Sequence, residues 1–143
     1  MKDFTPTKET ISLHGLGFIQ IKLPENRRMH VWHPDLPRRD CFQFSAIHNH
    51  RFSFTSTVLK GQHRNQRVDL EIDDQGSHDI ISHNGPRASS GGRISRVVGR
   101  TNIVPRPCEN YSAGQSYETP AFEYHITPNA GIVITLVFSI SVM

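Results

Sequence analysis

The stretch Cys41-Phe42-Gln43-Phe44-Ser45-Ala46-Ile47-His48-Asn49-His50-Arg51-Phe52-Ser53-Phe54 alternates in chemistry along its whole length. Its even positions are four phenylalanines, an alanine and two histidines, and most of the odd positions between them are polar. Successive side chains of a β-strand point to opposite faces. A period of two therefore predicts one long strand, or two in line across a bend, with an apolar even face. His48 and His50 share that face, so their rings aim at one point. An imidazole among aromatic rings is costly without a partner, so something at that point has to satisfy them.

The same period extends outward in both directions. Toward the N-terminus, Ile11 and Leu13, then Ile19, Ile21 and Leu23, mark two half-buried strands separated by a turn or bulge at Gly15 and Gly17. Residues 29–33 form a further strand, closed by Pro34 and Pro37, which exclude a helix. Downstream, residues 55–59 continue as strand, Lys60-Gly61 turns, and residues 66–72 alternate again. Asp73-Asp74-Gln75-Gly76 reads as a hairpin turn answered by His78-Asp79-Ile80-Ile81. Strand character recurs at Val97-Val98, at residues 111–119, at residues 124–127 after the break Pro120-Ala121-Phe122, and at residues 132–141. No segment carries a 3.6-residue period. Some ten short strands with regular turns predict an all-β sandwich or barrel.

A chain of 143 residues is read as one domain over 1–143, with residues 1–9 a loose arm and residues 84–96 a Gly/Ser/Arg-rich flexible loop. Hydrophobic content of 36% and charged content of 20% fit a globular protein. No apolar run approaches the ~20 residues of a membrane helix. The opening Met1-Lys2-Asp3-Phe4-Thr5-Pro6 lacks the apolar core of a secretion signal, so the expected location is cytoplasmic. Cys41 and Cys108 are expected to be free thiols. The net charge of +3 favours anionic partners only weakly. Arg87, Arg93, Arg96, Arg100 and Arg106 lie in one segment without an intervening acid. A solvated loop is the default reading and an anion-binding flap the sharper one. No set of stacking aromatics accompanies these arginines, so nucleic acid is not an expected partner.

Two spacings then stand out. His48-x-His50 is followed after three residues by Phe54 and after six more by Gly61. Gly114 is followed after five residues by Pro120-x-Phe122, after two by His125 and after three by Asn129. Together they resemble the paired motifs of the cupin superfamily: glycine, five residues, H-x-H, three or four residues, E, six residues, G; and glycine, five residues, P-x-G, two residues, H, three residues, N. Three positions depart. Phe42 and Gln43 stand where the opening glycine would lie, Phe122 replaces the glycine of P-x-G, and Phe54 occupies the usual glutamate ligand position. The literal His-Asn-His is not read as an HNH nuclease, because no helix follows it.

The resemblance implies a cupin-type antiparallel β-barrel (a double-stranded β-helix or jelly roll) and a homodimer. It implies a three-histidine metal site of His48, His50 and His125 without the glutamate, similar to cysteine dioxygenase and related cupins. Three neutral imidazoles leave opposite positions on a divalent ion open and its charge uncancelled, which favours anionic donors. The expected metal is Fe(II), with nickel, zinc, manganese and copper as alternatives. The expected activity is that of a non-haem Fe(II) dioxygenase acting on a small anionic substrate. A non-catalytic small-molecule-binding cupin and a sugar isomerase- or epimerase-like cupin stay open beside it. By strand parity Phe44, Phe52 and Phe54 line the pocket and Glu123 shares the face of His125, where it either serves as acid/base or replacement ligand or, past the kink at Pro120–Phe122, simply faces solvent. Tyr117 and Tyr124 are candidate phenol donors or packing residues, and His33 and His63 are read as surface residues.

Overall fold

The computed structural model describes residue 5 and residues 7–38, 46–83 and 94–140. Among them there is no helix. Eleven strands follow in order: β1 (Ile11–His14), β2 (Phe18–Leu23), β3 (Arg27–Trp32), β4 (Ser53–Lys60), β5 (Gln62–Ile72), β6 (His78–Ser82), β7 (Arg96–Pro105), β8 (Glu109–Ser112), β9 (Ser116–Thr119), β10 (Tyr124–Ile126) and β11 (Val133–Ile140). They form two antiparallel sheets distributed over two compact units. The arm at residues 1–9 is described only in part, and most of the segment read as a flexible loop, residues 84–93, lies outside the described residues. No helix of the described chain is long and apolar enough to cross a membrane.

The first unit, Met1–Arg67 with Pro107–Met143, contains a six-stranded sheet in the order β1-β2-β3-β11-β4-β9. The first half of β5 pairs with β8, and β10 lies beside β5. Alternation decides what faces inward. Phe18 pairs with Trp32 and Trp32 with Val133, and these three with Leu16 make one apolar cluster. Phe54, Tyr117 and Val137 make a second. Part of the interior is polar: Ser56, Asn65, Thr119 and Thr135 are among the most completely buried side chains. In β11 the inward set is Val133, Thr135 and Val137, while Phe138 and Ile140, like Ile132 just before the strand, are exposed. A face built of small and hydroxyl side chains leaves the larger aliphatics outside.

Gly61 alone separates β4 from β5, and at this corner the chain leaves one sheet for the other. Its φ is +84°, and a Cβ there would lie 2.2 Å from the Ile132 carbonyl oxygen, so only glycine fits.

In the second unit, Val68–Arg106, the end of β5 pairs with β7 and β7 pairs with β6. The hairpin read between residues 66–72 and 78–81 is therefore not a pair, because β7 lies between its arms. Thr101 is the pivot, pairing with Ile72 on one side and His78 on the other. The backbone of Thr101 passes so close to Gly76 that any Cβ there would clash at 2.4–2.7 Å. A non-local strand took both edges, which local turn chemistry cannot show. Two of the segment's arginines are ion-paired here, Arg100 with Asp79 at 3.2 Å and Arg106 with Asp69 at 3.0 Å.

Candidate metal centre

Residues 41–45 of the opening stretch, Phe44 among them, lie outside the described residues, and 46–52 are not strand. The predicted long strand gives way to a single isolated antiparallel bridge between His48 and His125. Its two bonds run His48 N–H to His125 O at 3.1 Å and His125 N–H to His48 O at 2.9 Å, and a third runs Phe122 N–H to His50 O at 2.7 Å. The His-x-His segment is thereby laced to the start of β10. The corner that allows this is Pro120-Ala121-Phe122, where Phe122 holds a left-handed φ of +66° with its side chain 63% exposed. Gly114 and Gly61 likewise have positive φ. Position 122 thus holds a backbone conformation that suits glycine, and its exposed ring meets no steric penalty beyond the local one.

One ligand-capable nitrogen from each of His48, His50 and His125 lies within 4.8 Å of the other two. The partners of the opposite ring nitrogens fix the tautomers. His125 Nδ1–H donates to Asn65 Oδ1 at 2.8 Å, and His48 Nδ1–H donates to the Ala46 carbonyl at 2.8 Å. Both rings are left with an unprotonated Nε2, the form a metal requires. His50 Nε2 stands 3.2 Å from His125 Nε2. Two lone pairs do not face each other at that range, so either a proton or a cation lies between them. Ligands adjacent on a divalent ion at ~2.1 Å are themselves ~3 Å apart, so the closest pair already fits, and a pair near the 4.8 Å limit has to draw in by ~1–2 Å to take adjacent positions. The donor set, the tautomers and the closest spacing suit a divalent ion, and these three histidines could hold one once the rings draw together.

Electrostatics agree with neutral rings. Burial, then the neighbouring His48, His50, Arg67 and His63, push His125 down to about 2. Burial, then His48, His14 and Arg28, push His50 down to about 4. Burial also lowers His48, partly offset by its bond to Ala46. The walls are aromatic: Phe54 stands edge-on to His50 at 5.2 Å and 6.0 Å from His125, and Phe52 lies 5.3 Å from His50. The Arg28 guanidinium sits 5.9 Å over the Phe52 ring.

The remaining candidates are placed differently. Glu123 is ion-paired with Arg67, which also bonds Glu109 at 2.8 Å and the Glu118 carbonyl at 2.6 Å. Burial works against the Arg67 charge, but these bonds outweigh it and raise its pKa. Arg67 thus ties β8, the end of β9 and the residue two before His125 into one knot. The Tyr117 hydroxyl bonds His63 Nε2 at 2.7 Å, its ring stacks on Tyr111 at 4.6 Å, and burial pushes its pKa up. Tyr124 adjoins His125 on a strand, so its side chain takes the opposite face. His63 is not a surface residue. It is 2% exposed, and burial pushes it down to about 4. Its Nδ1 meets Asn129 Nδ2 at 3.0 Å, while Asn129 Oδ1 accepts the Arg64 N–H at 2.7 Å. His33 is partly exposed and close to Asp35. Cys108 is a free thiol, and Cys41 lies outside the described residues.

Sequence reasoning missed Asn65, the residue that sets the tautomer of His125. It is fully buried, and its Nδ2 has no partner at hydrogen-bond distance, although the amide acts on the Glu109 carboxylate and helps hold its pKa low. The signal was present, since His63 and Asn65 share strand parity, but hydrophobic periodicity counts apolar residues and both are polar. No family model, curated protein or solved structure matches this chain.

Proposed function

We propose that this chain is a small cupin-type β-barrel protein that binds a divalent metal, Fe(II) first among the candidates, through His48, His50 and His125 and serves to oxidise a small anionic substrate. The observation that carries the reading is the convergence of three ring nitrogens within 4.8 Å, two of them with tautomers fixed by bonds on the far side of the ring. A divalent ion held there would supply Lewis-acid and redox chemistry at its open positions. The chain's own part is to keep the imidazoles neutral, to present no ligand carboxylate, and to exclude water with Phe52 and Phe54. Arg28 beside Phe52 adds the positive charge that an anionic substrate would meet.

A second reading, a binding module without turnover, has its own support. Glu123 is occupied by Arg67 and Tyr117 by His63, so neither acts on a ligand without first leaving that partner. The same occupancy weakens an isomerase or epimerase, which needs a free acid/base to move a proton. Homodimerisation is proposed through the edge of β1, where Ile11 and Leu13 are exposed.

The experiment is metal analysis of protein purified without an affinity tag, alongside His48→Ala and His125→Ala. About one equivalent of metal in the parent, lost in both variants, supports the site. Unchanged metal content overturns it. Oxygen uptake over a panel of thiols, enols and carboxylates by the loaded protein then separates oxidation from binding alone.

A further inference from the structure

A cavity of about 120 Å³ lies against Ala46. Leu16, Ala46, Ile126 and Pro128 give it apolar walls, and Trp32, Thr127 and Arg38 complete it. Trp32 is 4% exposed, and its indole N–H has no hydrogen-bond partner. Arg38 is placed by packing. Its Cγ and Nε lie 3.0 Å from where a Cβ on Gly17 would sit, and Gly17 has a φ of +87°. The side chain therefore lies along the turn that carries Leu16, in room that only glycine leaves. Among the described residues no carboxylate is paired with Arg38.

A cavity with apolar walls and, among the described residues, one guanidinium without a carboxylate partner is matched to a small amphiphilic anion. A cavity of about 150 Å³ holds benzene, so this one takes a ligand of about six heavy atoms or fewer. The structure assigns to it, we propose, a binding site for a short-chain monocarboxylate of three or four carbons, separate from the three-histidine centre. The carboxylate faces Arg38 and the hydrocarbon tail meets Leu16, Ala46 and Pro128. The proposal does not rest on the metal reading, yet the two sites touch through one residue, because the Ala46 carbonyl accepts the Nδ1–H of His48. An occupant against Ala46 steadies the group that holds His48 in its metal-ready tautomer.

The chain contains one tryptophan, and it lines the cavity. Trp32 fluorescence of the metal-free protein is titrated with propionate and butyrate, with chloride at equal ionic strength as control. A saturable change with either acid and none with chloride is expected. Arg38→Gln, a surface substitution, is expected to weaken binding at least tenfold, and Ala46→Leu, which fills the cavity, to abolish it with the melting curve checked alongside. Binding is expected to survive His125→Ala. No saturable change overturns the proposal, as does a response that persists undiminished in Arg38→Gln. Loss of binding in His125→Ala also overturns it, because the acid would then sit on the histidines. The metal analysis of the His48 and His125 variants fails or succeeds independently of all three.

Discussion

Asn65 Oδ1 accepts the Nδ1–H of His125 across 2.8 Å inside the fold, and that bond determines which nitrogen of His125 is free. Removing the amide leaves a buried N–H unpaired and the ring free to change tautomer. Asn65→Leu should weaken metal binding 10- to 100-fold, as loss of an outer hydrogen-bond partner usually does, while Asn65→Asp should retain it. Competition against a calibrated chelator reads both constants. Equal affinity in Asn65→Leu and the parent would show that the bond has no bearing on the metal.

Phe54 is where a carboxylate would complete the histidine set, and its ring touches both His50 and His125. Phe54→Glu should raise metal affinity by tenfold or more. It should also destabilise the metal-free protein by roughly 3 kcal/mol, because Phe54 packs with Tyr117 and Val137 and an unpaired carboxylate replaces it. Melting curves with and without metal separate the effects. A variant whose melting temperature rises no more on adding metal than that of the parent would disprove this.

Acid should unfold the metal-free protein earlier than its net charge suggests. His50 and His63 are held down to about 4, below the ~6.5 of an unfolded chain, so the native state binds fewer protons than the unfolded one at intermediate pH. Their contribution is therefore full above pH ~6.5 and is lost as pH falls from there toward about 4, at up to ~1.4 kcal/mol per pH unit for each ring. Urea denaturation at pH 7.5, 6 and 5 should show a steady loss, shallower in His63→Gln. A flat series would mean these rings protonate inside the fold at no cost.

Two glycines share a positive φ and differ in surroundings. Gly61→Ala places a Cβ against the Ile132 carbonyl and should cost at least about 3 kcal/mol, whereas Gly114→Ala meets nothing within 4 Å and should cost only about 1 kcal/mol. Comparable losses at the two positions, measured by chemical denaturation, would show that backbone strain alone sets the cost.

Apolar alternation found β1, β2, β3 and β11 because large side chains repeat there on each face. It failed where the inward residues are polar. β5 was read from residue 66 although it begins at Gln62, since Gln62, His63, Arg64 and Asn65 show no hydrophobic period. It failed again at residues 46–52, where alternation is present but the backbone makes one bridge instead of a ladder. The histidine triad was legible from spacing because one His-x-His and one distant histidine suffice to define it. What surrounds the triad was not. Whether Glu123 faces a ligand or Arg67 depends on a contact across 56 residues, and no local pattern encodes that.

The bridge between His48 and His125 bears also on how the chain reaches its native state. The two residues it joins are 77 positions apart, 125 minus 48. Closing so long a loop carries an entropic cost that nearby contacts do not share, so the centre is assembled among the later events of folding. An ion captured by the three histidines would behave as a reversible cross-link. By the loop-length dependence of such links its benefit comes mainly from constraining the unfolded chain, and it is larger for this separation than for a pair of ligands on one hairpin.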